Sequence, residues 1–191
     1  MAKLIPWLFL IPPALVTLAA IATLLHARTP RGRALKHFRQ GGDCFFQKNL
    51  KEAEAEFRMG LELFADHPPL VGSLAALLVE TERFEEAIPV LAKARSLDPG
   101  DMRLILLEGR CHQGLEASDK ALEAWGSIPE ESDIFADAMG LVSEELERQG
   151  NLEGAAQSLK RAIERSTLHR SRPYKKELKR LEVEINAPSH P

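Results

Sequence analysis

The sequence predicts an all-α chain: an array of about four helix pairs, a capping helix at its end and a membrane-spanning helix at its start. Three observations carry this expectation. Alanine recurs at Ala53, Ala87, Ala121 and Ala155, at intervals of 34 residues, each time at the same place in a helical apolar pattern. A fixed period of that length is the mark of stacked helix pairs, each burying its apolar face only against its neighbours. Leu4 to Leu25 forms a stretch of 22 residues without a charge. The composition, 45% apolar and rich in the helix formers Leu, Ala, Glu and Arg, has no run of alternating β-branched residues that would suggest a sheet.

From the amino terminus, residues 1–26 read as the anchor. At about 1.5 Å per residue, 22 helical residues span roughly 33 Å, against a bilayer core of about 30 Å. Trp7 suits an interfacial anchor, and Pro6, Pro12 and Pro13 distort such a helix without abolishing it. A cleaved signal peptide is the competing reading, since Lys3 gives a basic start and Ala20-Ile21-Ala22 resembles a cleavage site. Length and the basic residues immediately behind the stretch favour a retained single-pass anchor. Residues 27–33 form a short basic linker. Arg28, Arg31, Arg33, Lys36 and Arg39 follow the segment, so the positive-inside bias places the repeats in the cytoplasm, with a periplasmic placement as the alternative. These cations also suit anionic lipid headgroups.

Residues 34–169 carry the repeats, divided as 34–67, 68–101, 102–135 and 136–169. Four residues after each alanine stand Phe57, Leu91, Trp125 and Leu159; seven after it stand Gly60, Ala94, Ile128 and Ala162. These share one helical face. Twelve residues before each alanine stand Gly41, Ala75, Gly109 and Ser143, small residues where a first helix would cross the second. The pattern resembles the tetratricopeptide repeat, which implies a right-handed α-α superhelix of about four helix pairs. The second unit, closing on Leu97-Asp98-Pro99-Gly100, and the fourth, with Gly150-Asn151-Leu152 at its turn, match best. The third departs, with Ile128 at a small position, Ser118 at an apolar one and an early Gly114. Pro89 falls within a B helix near its first turns, where it costs one backbone hydrogen bond.

Residues 170–185 form the expected capping helix, with Tyr174, Leu178, Leu181 and Ile185 as its apolar stripe and charge on its other side. Residues 186–191 read as a disordered tail.

Charge is unevenly divided. His26 to Lys48 holds six Lys or Arg and one Asp, Asn49 to Thr167 holds 12 basic and 24 acidic residues, and Leu168 to Pro191 holds six basic and three acidic. The middle reads as a solvated acidic surface. At the end, Glu177, Glu182 and Glu184 dilute the cations, which disfavours nucleic acid as a partner. Cys44 and Cys111 fall two repeats apart, too far for a bridge if helices pack about 10 Å apart, and unpaired thiols suit a reducing compartment.

No phosphate loop, dinucleotide fingerprint, nucleophile elbow or paired zinc spacing occurs, so no cofactor, metal or catalytic residue is expected and an enzyme is disfavoured. The one enzymatic alternative is a nuclease or hydrolase accessory with weak catalysis at Cys111 and His112. Binding is the favoured role. The family resemblance implies that the first helix of each pair lines a concave groove for a protein or peptide, with Phe38, Gly42 and Phe45 from the first unit. Gly72, Ala76 and Val79 come from the second, Arg103, Leu106 and Arg110 from the third, and Gly140, Glu144 and Glu147 from the fourth. Phe38, Phe45, Ala76, Val79, Arg103, Leu106 and Arg110 are the partner-binding candidates; Arg103 and Arg110, seven apart on one helix, lie on the same side. Repeats of this family that grip chaperone tails carry Lys, Asn, Asn, Lys and Arg where this chain has Phe38, Gly42, Ser73, Arg103 and Leu107, so that activity is not carried over. The sequence thus predicts a membrane-anchored adaptor that recruits or assembles a protein complex, with an exported periplasmic or envelope protein supporting secretion or cell-envelope assembly as the alternative.

Overall fold

The computed structural model describes Leu25, residues 29–167 and residues 169–187. Apart from Leu25, the expected anchor lies outside the described residues, as does the tail beyond Ala187; among the described residues no helix is long and apolar enough to cross a membrane. These residues form helices and turns without a strand. The helices are α1 (Pro30–Phe46), α2 (Leu50–Leu63), α3 (Pro68–Glu80), α4 (Phe84–Leu97), α5 (Arg103–Gly114), α6 (Ser118–Gly126), α7 (Phe135–Arg148), α8 (Leu152–Arg165) and α9 (Ser171–Ile185).

The 34-residue period is written into the backbone as well as the side chains. Lys48, Glu82, Glu116 and Gly150 adopt positive φ, at 63°, 57°, 58° and 78°. Each sits in the turn between the two helices of a pair and reverses the chain the same way. Asn49, Arg83, Ala117 and Asn151 donate their N–H groups to the carbonyls of Cys44, Leu78, His112 and Leu146, five residues back, so each turn satisfies carbonyls that the first helix leaves open. The second helices consequently start at Leu50, Phe84, Ser118 and Leu152. Only Gly150 meets the left-handed conformation without a side chain to crowd it.

Two compact units are present, one ending at Ser73 and one beginning at Leu74, with the division inside α3. In the first unit α1 and α2 form a hairpin. Thr29 caps α1 by accepting from the Gly32 N–H at 3.0 Å, and Pro30 occupies the first turn, where its missing N–H costs nothing. The helix therefore begins before the repeat frame does. Gly41 lies against the Phe57 ring, where a Cβ would stand 2.5 Å from Cε1, and Gly60 lies against Leu70 in the same manner. His37 and Glu56 are 2.8 Å apart across the hairpin, both half-buried.

In the second unit α4 through α9 pack in sequence order, each against the next. Ala87, Ala121 and Ala155 are fully buried, as Ala53 is in the first unit, with Leu91, Trp125 and Leu159 beside them. A core around Trp125, Phe135, Met139 and Ile128 continues into a second cluster of Ala155, Ala156, Leu159 and Leu181. Leu181, Leu178 and Ile185 bring α9 onto α8, so the expected capping stripe is the docking face. The third pair shows a difference from the repeat pattern. Its second helix stops at Gly126, and Ile128 is buried from the loop that follows rather than from the helix. Ile128 precedes Pro129, which disfavours helical geometry at that residue and ends the helix.

Candidate partner-binding site

The α5 helix carries Arg103, Leu106 and Arg110 at i, i+3 and i+7, one stripe along its length. Trp125 fixes where that stripe stands. Its ring is fully buried against Gly109, where a Cβ would lie 2.2 Å from Nε1, and its indole N–H donates to the Leu106 carbonyl at 3.1 Å. The indole donor thus finds a partner inside the core while holding α6 against α5.

Leu106 is half-buried on the core beside Met102, and Leu141 and Val142 of α7 pack on the same core with part of their surface open. Arg103 is exposed, with Nε and Nη2 donating to Asp101 Oδ1 and Oδ2 at 2.8 and 2.9 Å. Hydrogen bonds from Arg103 hold the Asp101 carboxyl below the usual carboxylate range. Asp101 also accepts from the Arg103 N–H at 3.1 Å, so the guanidinium is oriented by the start of its own helix. Sequence reasoning missed that pairing, for which the Asp101-Met102-Arg103 spacing is the available signal. Arg110 is exposed and has no ion-pair partner among the described residues.

The other expected site residues divide. Phe38 and Phe45 are half-buried on α1, the Phe38 ring 6.1 Å from His67, which also meets Phe64 edge-on at 5.5 Å. Burial comes first in lowering the His67 pKa, with the positive charge of Arg31 adding to it. Ala76 is half-buried, whereas Val79 is only 6% exposed and serves the core. Cys111, named with His112 in the enzymatic alternative, is fully buried among the α5 core residues, and burial pushes its thiol up to about 11. A thiol so far from ionising at neutral pH is suited to packing rather than nucleophilic attack. Both cysteines are free.

One feature of the second unit escaped sequence reasoning. Glu145 of α7 is fully buried, accepting from Gln113 Nε2 at 2.9 Å and from Arg148 Nη2 at 2.7 Å. Burial by itself would raise this carboxyl, but hydrogen bonds from Arg148, Ser118 and Gln113 together outweigh it and hold the group below its ordinary range. Ser118, the misfit of the third repeat, is therefore a partner for a buried charge. At the other end of α7, Asp137 accepts from Tyr174 Oη and Arg170 Nη2, both at 2.8 Å, which fastens the start of α9. Along α9 the expected dilution of charge takes an ordered form. Glu177 and Glu184 pair with Arg180, and Glu182 pairs with Lys160, leaving Arg172, Lys175, Lys176 and Lys179 exposed on one side.

The helix pairs resemble several solved structures. YrrB, described as a TPR protein with an unusual peptide-binding site, superposes with a TM-score of 0.62 at 24% identity, over 75% of this chain and 74% of that one. The fold is that of a tetratricopeptide-repeat array. MamA from Desulfovibrio magneticus RS-1, residue 41 to the end, matches this tetratricopeptide fold with a TM-score of 0.64 at 23% identity, over 76% of this chain and 81% of that one. Pseudomonas aeruginosa PilF gives a TM-score of 0.69 at 13% identity, over 82% and 70%. In sequence, no family model and no curated protein matches the chain. Within the tetratricopeptide frame α5 and α7 are first helices of their pairs.

Proposed function

We propose that the chain is a non-enzymatic scaffold that holds a protein or peptide on the α5 face and is tethered to a membrane by Leu4 to Leu25, with the repeats in the cytoplasm. The observation that carries the binding reading is the α5 stripe. Half-buried Leu106 stands between an oriented guanidinium at Arg103 and one at Arg110 with no ion-pair partner among the described residues, a face that accepts an apolar side chain together with a carboxylate. The similar fold of YrrB, a TPR protein with an unusual peptide-binding site, supports the same class of role. Recruiting or assembling a complex at the membrane is the use such a tethered face would have.

Crosslinked capture by the whole chain tests the site. Arg110→Glu and the Arg103→Glu/Arg110→Glu pair should each lose one specific partner band that an Arg172→Glu/Lys176→Glu control keeps. Identical bands from all four chains would refute the α5 face. Reporters fused after Pro191, one active only in the cytoplasm and one only outside it, decide between the cytoplasmic placement and the exported alternative.

A further inference from the structure

We infer that the solvent face of α1 is a second docking surface, whose occupant is the anionic headgroup layer of the bilayer; the inference rests on the anchor reading above. Arg33, Lys36 and Arg39 follow one another at three-residue spacing, and Phe46 stands seven residues beyond Arg39, so the four share one broad side of the helix. All four are exposed, Phe46 at 89%, the most exposed of the large apolar residues described. The opposite side of α1, with Ala34 and Gly41, is buried. None of the three cations has an ion-pair partner among the described residues, while Arg31 is engaged over the Phe64 ring at 5.9 Å. Asp43, the sole acidic residue of the helix, lies exposed on this same side four residues after Arg39, so the side carries three positive charges against one negative. A cationic helix side ending in a fully presented aromatic matches a surface that is anionic at the headgroups and apolar just beneath them.

Covalent geometry selects the bilayer over other polyanions. Only residues 26–29 separate the uncharged stretch from α1, so at most about 18 Å of chain joins Leu25 to Pro30. The first turns of α1, with Arg33 and Lys36, are thus held near the headgroup layer, where screening over a Debye length of about 8 Å still leaves exposed charges an attraction. A soluble polyanion has no such tether.

The test uses the whole chain carrying Phe46→Cys with Cys44→Ser, labelled at residue 46 with an environment-sensitive fluorophore; Cys111 is buried. It is reconstituted into vesicles of zwitterionic lipid, or of the same lipid with an anionic fraction. In anionic vesicles the label should be shielded several-fold from an aqueous quencher. High salt, or Arg33→Glu/Lys36→Glu/Arg39→Glu, should abolish the shielding while the circular dichroism stays unchanged. Equal quenching in both lipids, or shielding indifferent to salt, overturns the proposal, as does release from anionic vesicles onto added DNA. Flotation separates it from the anchor reading. A chain that floats with anionic vesicles only, through these three cations, keeps the α1 surface and removes the anchor; one that floats with zwitterionic vesicles but shows no charge-dependent shielding keeps the anchor and removes the surface.

Discussion

Gly109→Ala sets two opposed effects against each other. Exchanging Gly for Ala inside a helix favours the helix by about 1 kcal/mol. The new methyl, however, would lie 2.2, 2.5 and 2.6 Å from Nε1, Cε2 and Cδ1 of Trp125. These are ring atoms of a fully buried side chain, so the ring itself must move. Overpacking of a rigid core site costs about 1 to 3 kcal/mol. Displacing the indole also strains its bond to the Leu106 carbonyl, 3.1 Å long, and a buried N–H left unpaired costs about 1 to 3 kcal/mol more. The losses exceed the gain, and the expected result is a net destabilisation of about 1 to 5 kcal/mol. Urea unfolding followed by circular dichroism measures it, and Trp125→Phe completes the cycle. A phenyl ring lacks the indole nitrogen, the atom the methyl would approach most closely, so the double variant should lose less than the two single variants summed, by about 1 kcal/mol or more. If Gly109→Ala stabilises the chain, helix propensity outweighs the contact, and the account of how α6 positions the α5 face is wrong.

Further outcomes follow from the turns and the buried charge. Glu82→Gly and Glu116→Gly should each stabilise by up to about 1 kcal/mol, because the native φ of 57° and 58° penalises a residue with a Cβ; denaturant midpoints that fall would contradict this. Ser118→Leu, which restores the apolar residue of the repeat pattern, should cost about 1 to 3 kcal/mol by depriving buried Glu145 of a hydrogen bond, and a rise in stability would show that the hydroxyl is dispensable. The single tyrosine of the chain makes Tyr174 directly observable by its phenolate absorbance. Burial, with the hydrogen bond to Asp137 adding to it, raises its pKa to about 12, so native titration should be centred near there. The unfolded phenol ionises near 10 while the native one keeps its proton, so stability should decline as pH rises from about 10 to about 12. A native midpoint near 10 would mean that α9 does not bury this side chain.

Legibility differed from element to element for definite reasons. The buried alanines and the large residues four places on were readable because helical period and repeat period coincide at Ala53, Ala87, Ala121 and Ala155. The α5 stripe was readable for the same reason, as Arg103, Leu106 and Arg110 depend on helical spacing alone. Glu145 was not, because a carboxylate on a charged helix gives no sign of its burial until Gln113, Ser118 and Arg148, from three helices including its own, are brought to it. Nor was the sorting of charge along α9, where Glu182 is withdrawn by Lys160 of the preceding helix.

Local and periodic properties were therefore determined by the sequence itself: the all-helical class, the four turns at a constant interval, the small residues where helices cross, and the uncharged stretch at the start. Each depends on residues within a turn or two, or on the same offset repeated. Tertiary structure alone decided which charges are spent and which remain. Ion pairs joining residues such as Lys160 with Glu182 or Arg170 with Asp137 depend on how neighbouring helices are rotated about their axes, and that rotation is set by packing against rings such as Trp125 and Tyr174. Among the described residues, what is left over includes Arg110 on α5, the three cations of α1 and the exposed cations of α9, which are available to another molecule.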